Sequence, residues 1–219
     1  LLGPAFLRGW WLSEPPLDDA LDRLAAADAI YISHNHSDHL NPTTLKRLAH
    51  RRTDIRFFVP PFDSCVQQLE AFGFSNIVVV PFDMWYPFGD GQFMMLRDGT
   101  TRDDSGLLIQ YKGHRILNTV DCSDLNGGHF PDNVDVLLMS FAGGASGYPV
   151  CWADGYSDQE IERRVRLDRA RIRARIVETV KATSARIFVP FAGYFTEAHP
   201  ADSDVRARNW KNTPEAVIQ

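Results

Sequence analysis

The sequence predicts an α/β protein in which strands and helices alternate, with a run of consecutive strands in the middle. The chain has 219 residues, of which 44% are hydrophobic and 11% aromatic, a composition that excludes a disordered chain and a coiled coil. This length suits one domain with one core. We therefore expect a single domain over residues 1–219, an α/β sandwich whose sheets carry helices on their outer faces.

The strand and helix alternation begins near residue 29. β-Branched and aromatic residues predict strands, and leucines at helical spacing predict the helices between them. Asn41 followed by Pro42 is typical of a helix start, and Gly73 is typical of a helix end. The predicted order is strand 29–33, helix 41–50, strand 55–59, helix 63–72 and strand 77–80.

Glycine-containing turns then predict a meander of strands at 92–96, 107–111 and 115–120. A strand at 134–139, a glycine-rich loop at 143–147, a helix over 158–181 and a strand at 186–189 complete the expected order. The loop has two possible roles, cradling a phosphate or connecting flexibly. The arginines of the long helix alternate with acids and predict a solvated face; they are Arg163, Arg164, Arg166, Arg169, Arg171, Arg173 and Arg175.

Charge and cysteine content exclude several classes of function. Lys and Arg total 23 against 28 Asp and Glu, a net charge of -5, so we expect neither nucleic acid nor an anionic membrane as partner. No apolar run is long enough for a membrane span. The three dispersed cysteines form no disulfide framework, which predicts a cytoplasmic protein. The first residues contain no initiator Met and no signal-peptide pattern, and they predict a fragment or a trimmed chain.

The most informative motif is H-x-H-x-D-H at residues 34–39, directly after a predicted strand and before a capped helix. Three imidazoles and one carboxylate within six residues supply ligands suited to a transition metal. A solvated loop in which histidines happen to cluster is the alternative. The position at a strand end favours a metal site.

This motif resembles the metal-binding loop of the metallo-β-lactamase superfamily, which implies an αββα sandwich. The resemblance implies that His34 and His36 bind one metal ion and that Asp38 and His39 bind a second. It also implies a bridging carboxylate, a role that Asp121 fills at the end of a predicted strand. Asp38 and Asp121 are the expected catalytic residues. The fold usually opens with a β-hairpin, and only 33 residues precede His34, so we expect part of that hairpin to be missing.

Two other ligand positions depart from the superfamily pattern. Where a histidine usually stands upstream of Asp121, the chain has acidic residues, and Asp104 is the expected substitute. Ala192 stands where related hydrolases often carry the last histidine, and His199 is the expected replacement. A turn-forming role for Asp104 is about as well supported. A ligand set richer in oxygen favours iron or manganese over zinc.

A closer resemblance, to the CMP-N-acetylneuraminate hydroxylase family, extends from one end of the chain to the other. It is carried by GPAF at 3–6, GWW at 9–11, YKGHRILNTVDC at 111–122, NGG at 126–128, FAGGASGYP at 141–149, PFAGYF at 190–195 and HP at 199–200. The resemblance implies an iron-dependent monooxygenase with one or two iron ions, acting on the N-acyl group of a nucleotide sugar or a similar small polar metabolite.

The animal members of that family carry a Rieske iron-sulfur domain, which needs paired Cys and His ligands. Cys65, Cys122 and Cys151 have no such spacing, so this chain is expected to hold no Rieske cluster. An external electron-donor protein or a separate Rieske domain would then be the partner. Two alternatives stay open: a hydrolase using metal-bound hydroxide on an ester, amide or phosphodiester, and a non-catalytic partner subunit. Zinc alone would favour the hydrolase.

Overall fold

The strands and helices of the protein belong to two units. The computed structural model describes residues 2–143, 145 and 147–218, and the side chain of Ala153 lies outside this description. One unit comprises Leu1–Leu107 with Cys122–Gly127, and the other comprises Leu108–Asp121 with Gly128–Gln219. Each unit is considered by itself below.

The first unit is built on a parallel β-α-β-α-β arrangement. Its elements are α1 (Ala20–Ala26), β1 (Ala29–Tyr31), α2 (Pro42–Ala49), β2 (Arg56–Val59), α3 (Asp63–Ala71), β3 (Ile77–Val79), β4 (Tyr86–Phe88) and β5 (Gly91–Arg97). Strands β1, β2 and β3 form a sheet in that order, with Ile30 opposite Phe57 and Phe58 opposite Val78. Strand β4 pairs antiparallel with β5.

Strand β6 (Ser105–Tyr111) begins in the first unit and ends in the second. The second unit continues with β7 (His114–Asn118), β8 (Val136–Met139), α4 (Asp158–Thr183), β9 (Ile187–Pro190), α5 (Ser203–Arg208) and α6 (Pro214–Ile218). Strand β7 is parallel to β8, and β8 is parallel to β9, which follows the crossover helix α4. The second sheet has the order β4-β5-β6-β7-β8-β9.

The predicted strands and the three predicted helices are confirmed within a few residues of their expected bounds. Asn41 caps α2 as expected, since its side chain accepts a hydrogen bond from the Thr44 amide. The sequence did not reveal α1, α5 and α6, which have seven residues or fewer, or β4, which contains Pro87. None of the described helices combines the length and the apolar character needed to cross a membrane.

The core of the first unit lies between the parallel sheet and helices α2 and α3. Phe57 and Val59 of β2 are fully buried, as are Leu48 of α2 and Leu69 of α3. Leu40 belongs to the same core and directly follows the histidine motif. Burial of Leu40 therefore fixes one end of the histidine motif against the helices, since withdrawing a leucine from a core costs a few kcal/mol.

Arg169 is an exception to the predicted solvated face of α4, because it is fully buried. Its guanidinium donates to Asp168 and to the backbone oxygen of Trp210. A Cβ on Gly143 would lie 3.1 Å from this guanidinium and closer still to Ile172, so glycine is needed there. The side chains of Arg169 and Ile172 on α4 therefore lie close to Gly143. Gly144 and Ser146 of the predicted glycine-rich loop lie outside the described residues.

The two ends of α4 offer a test of its local stability. Ser184 follows the helix with φ 51° and ψ 36°, a left-handed conformation that disfavours residues with a Cβ. Ser184→Gly should therefore raise the free energy of unfolding by up to about 1 kcal/mol. At the other end, Ser157 accepts a hydrogen bond from the Glu160 amide, and Ser157→Ala should lower the free energy of unfolding by about 1 kcal/mol. Urea unfolding measures both free energies, and changes of the same sign in the two variants would contradict these roles for the two helix ends.

Candidate metal centre

The histidine motif occupies a tight loop at the carboxyl end of β1. The Ile32 amide donates to Phe58 O at 3.0 Å, so the pairing with β2 extends to the residue before the loop. The amides of His39 and Leu40 then both donate to His36 O, at 3.0 and 2.7 Å. These bonds turn the chain back on itself within six residues. The loop therefore gathers its side chains over one end of the sheet.

The three imidazoles of the loop pack against one another. The ring centroid of His34 lies 4.5 Å from that of His36 and 4.2 Å from that of His39. His34 is buried, His39 is half-buried and His36 is exposed. The motif therefore forms one cluster with a buried inner end and a solvent-facing outer end.

Two buried polar atoms of this cluster have no hydrogen-bond partner among the described residues. They are Nε2 of His34 and Oδ1 of Asp38. Nε2 of His39 lies 3.5 Å from Oδ2 of Asp38. A buried polar atom without a partner is costly, and imidazole nitrogen and carboxylate oxygen are both atoms that coordinate transition metals. The donor set therefore fits a transition-metal ion.

Asp104 lies on the other side of the His34 ring. Its Oδ1 is 3.0 Å from Nδ1 of His34 and also accepts a hydrogen bond from the Ser105 amide at 2.7 Å. A carboxylate oxygen beside Nδ1 of His34 favours the hydrogen on that nitrogen, which leaves the lone pair on Nε2. Carboxylates commonly orient metal-binding histidines in this way. This Asp104 contact is that of a positioning residue; direct ligation by Asp104 remains a prediction.

Ser33 contacts both inner imidazoles. Its hydroxyl oxygen lies 3.0 Å from Nδ1 of His34 and 3.3 Å from Nδ1 of His39. When it accepts from both rings, each histidine has Nε2 available as a ligand atom. Ser33 is itself buried. One hydroxyl thus restricts the orientation of two rings.

A further set of hydrogen bonds joins β1 to the start of β6. Ser105 donates from Oγ to Ser33 O at 2.8 Å. The Tyr31 hydroxyl lies 2.8 Å from Ser105 O and 2.7 Å from its Oγ. Burial raises the pKa of Tyr31 well above its ordinary value, so this phenol stays a neutral donor. Tyr31 and Ser105 therefore hold together the two segments that carry His34 and Asp104.

A second group of potential ligands lies behind Asp104. Atoms of Asp98, Asp104 and Cys122 lie within 4.8 Å of one another, and all three residues are buried. Asp98 accepts from the amides of Thr100 and Ser123, at 2.8 and 2.7 Å. Burial acts to raise the pKa of Asp98, but these bonds outweigh it and the pKa is lowered. Because both oxygens of Asp98 are occupied, this group stabilises the loops rather than offering an open site.

The remaining predicted ligands lie in the second unit. Asp121 follows β7, is half-buried, and directly precedes Cys122 in the chain. Ala192 follows β9, which is parallel to β8 and through it to β7. His199 is exposed and its Nδ1 accepts from the Ala201 amide at 3.2 Å. A neutral ring in that state carries its hydrogen on Nε2, so ligation by Nε2 of His199 would require a change of tautomer.

The residues that support the predicted ligands could not be recognised from the sequence. Ser33 and Ser105 flank predicted ligands in the sequence, and that adjacency was the available signal. Tyr31 was hidden because it reads as an ordinary strand residue. Asp98 lies at the end of β5 and reads as a turn residue.

Comparison with known proteins places the chain in a family. Residues 3–143 match the family described as Beta-lactamase superfamily domain. The chain belongs to the beta-lactamase superfamily. This membership, together with the mixed α/β structure described above, confirms the predicted metallo-β-lactamase-like fold.

Two relatives are proteins named cytidine monophosphate-N-acetylneuraminic acid hydroxylase. The one from Mus musculus is 44% identical over 99% of this chain and 39% of its own length, and the one from Danio rerio is 46% identical over 98% and 37%. The chain therefore spans well under half the length of these relatives. The predicted resemblance to this hydroxylase family is confirmed.

Among solved structures, a mutant of CmlA beta-hydroxylase has a TM-score of 0.52 with 20% identity, over 82% of this chain and 40% of that one. The short form of human tRNase Z has a TM-score of 0.50 with 15% identity, over 77% of this chain and 74% of that one. At these identities the likeness concerns the fold.

Removing the carboxylate behind His34 tests its positioning role. Asp104→Ala should weaken Fe(II) binding by about tenfold to a hundredfold, because the His34 ring loses the acceptor that sets its tautomer. Asp104→Asn should lose less, since the amide oxygen still accepts from Nδ1. Anaerobic competition with a chromophoric chelator measures the affinity. Asp103→Ala, a change of the neighbouring exposed carboxylate, is the matched control. Unchanged affinity in a folded Asp104→Ala protein would contradict the role.

Proposed function

We propose that the chain is the metal-dependent catalytic domain of a hydroxylase, an oxidoreductase of the monooxygenase type. The observation that carries the proposal is the identity of 44 to 46% over 98 to 99% of the chain to proteins named as hydroxylases. The buried Nε2 of His34, which has no hydrogen-bond partner among the described residues, supports metal binding at the histidine motif.

The proposed substrate is a small polar metabolite with an N-acyl group, and the names of the relatives favour a cytidine monophosphate sugar. In the reaction, one atom of dioxygen enters a C–H bond of the N-acyl group as a hydroxyl. The other oxygen atom leaves as water, which consumes two electrons and two protons. Both electrons come from an external donor protein or a Rieske domain.

The proposed metal is iron, as one or two ions, with zinc or manganese as alternatives. The ligands would be His34, His36, Asp38, His39, Asp121 and His199, with Asp104 behind His34 or as a further ligand. Four of these residues belong to one loop of six residues. Asp121 directly precedes Cys122, which lies in the buried group that contains Asp104, and this covalent link supports its inclusion. Iron bound there would supply the activation of dioxygen.

The chain's own residues would prepare the site in three ways. The Asp104 carboxylate lies 3.0 Å from Nδ1 of His34, where it favours the hydrogen on that nitrogen and leaves Nε2 as the ligand atom. Ser33 restrains His34 and His39 together. Tyr31 and Ser105 keep these groups in place through hydrogen bonds between the segments that carry them. No residue is needed as a covalent nucleophile.

The cysteines support an external source of electrons. Cys65 lies buried in α3, and burial raises the pKa of its thiol to about 11, which suits a structural residue. Cys122 is buried and Cys151 is exposed. In this proposal a Rieske cluster belongs to a partner or another domain, because the three cysteines lack the paired Cys and His spacing that such a cluster needs.

Hydroxylation with labelled dioxygen tests the proposed function. The iron-loaded protein is supplied with an electron-donor system, a cytidine monophosphate N-acyl sugar and isotopically heavy dioxygen. Mass spectrometry should find one heavy oxygen atom in the sugar product. His34→Ala should abolish the product because the innermost ligand is lost, whereas His50→Ala, a change at an exposed histidine after α2, should retain it.

Hydrolysis products without incorporated heavy oxygen would favour the hydrolase and contradict this proposal. Absence of hydroxylated product with several electron donors, and with iron present in the protein, would also contradict the proposal.

A further inference from the structure

A cleft of about 720 Å³ adjoins the outer end of the histidine cluster. One wall is the segment Pro4 to Trp11, and the other includes His36 and Ser37 of the metal-binding loop. The ring centroid of Phe6 lies 6.0 Å from that of His36. The cleft is therefore continuous with the exposed imidazole of the candidate metal centre.

The wall formed by the N-terminal segment is held in an unusual conformation. Phe6, Leu7 and Arg8 have φ values of 47°, 54° and 72°, in the left-handed region that residues other than glycine rarely adopt. The Phe6 amide donates to Ser37 Oγ at 2.7 Å, and Ala5 and Trp10 exchange two backbone hydrogen bonds. Strained backbone of this kind persists where its surroundings hold it, and it is concentrated at functional sites.

This conformation presents a cation and an indole to the cleft. The Trp11 side chain is 63% exposed, and the Arg8 guanidinium lies 5.5 Å from its ring centroid. The Trp11 Nε1 donates to Arg8 O at 2.9 Å, which couples the two residues. Arg8 forms no ion pair with a carboxylate among the described residues, and none of the residues that line the cleft is acidic.

The charge of the cleft contrasts with that of the chain, which is net -5. A guanidinium without a carboxylate partner attracts a phosphate or carboxylate, since it can donate two parallel hydrogen bonds. An exposed indole beside it offers a flat apolar surface for a ring. The recognised ligand must then combine a negative charge with a planar group.

We propose that Arg8 and Trp11 bind the substrate in this cleft, Arg8 contacting an anionic group and Trp11 stacking on a planar ring, with the reacting end toward His36. The proposal rests on the proposed function and deepens it, because it assigns the residues that select the substrate. Arg8 and Trp11 act in recognition and lie outside the ligand set of the metal.

Calorimetry with three probes tests this assignment on the full chain. Cytidine monophosphate carries both a ring and a charge, cytidine carries only the ring, and inorganic phosphate carries only the charge. Cytidine monophosphate should bind most tightly. Arg8→Gln should weaken its binding by about tenfold to a hundredfold while leaving cytidine unaffected. Trp11→Ala should weaken both cytidine ligands by at least about fivefold while leaving phosphate unaffected.

Two control variants match these changes outside the cleft. Arg56→Gln removes the same charge from the exposed first residue of β2, and Trp152→Ala removes an indole that is 67% exposed in the second unit. Both should bind cytidine monophosphate as the unmodified protein does. Absence of binding to the unmodified protein, or equal losses in the controls, would overturn the assignment. Since binding needs neither dioxygen nor an electron donor, failure of the hydroxylase proposal would leave these results unchanged.

Discussion

The 3.0 Å contact between Oδ1 of Asp104 and Nδ1 of His34 joins two buried groups at the centre of the candidate site. The Asp104 carboxylate is 4% exposed, and its partners are the His34 ring and the Ser105 amide, which donates to it. Loss of either partner would leave a charge poorly compensated in the interior. A carboxylate beside Nδ1 favours the hydrogen on that nitrogen and leaves Nε2 as the ligand atom, so one contact affects both the packing and the chemistry of His34. Tyr31, Ser33 and Ser105 reinforce it from both strands.

The exposure of the histidines increases from this buried contact toward solvent. His34 is enclosed, His39 is half-buried, and His36 is exposed and borders the cleft formed with Phe6. An ion bound by the inner groups would be held in a rigid, water-poor environment, where electrostatic interactions are strong. A substrate would approach from the opposite side. The motif thus combines a fixed inner face with an accessible outer face in six residues.

Much of the first unit could be predicted from the sequence because its signals are local. The cap at Asn41 and the apolar β2 segment are examples. The histidine motif drew attention to the candidate site in the same way, because its residues are contiguous. The role of Asp104 behind His34 could not be predicted, since it depends on which strands come together in space. The expectation that Arg169 belongs to a solvated face was wrong, since this side chain is buried. Alternation of charges along a helix does not reveal which of its side chains are covered by the rest of the protein. Short elements such as α1 carry too few residues for a periodic signal.

Anomalous scattering from crystals of protein prepared without added zinc tests the central claim most directly. Data collected on both sides of the iron absorption edge should show iron bound to Nε2 of His34, with Asp104 contacting Nδ1 of the same ring. Iron bound to Asp104 with His34 turned away, or no metal at the histidine motif, would contradict the account.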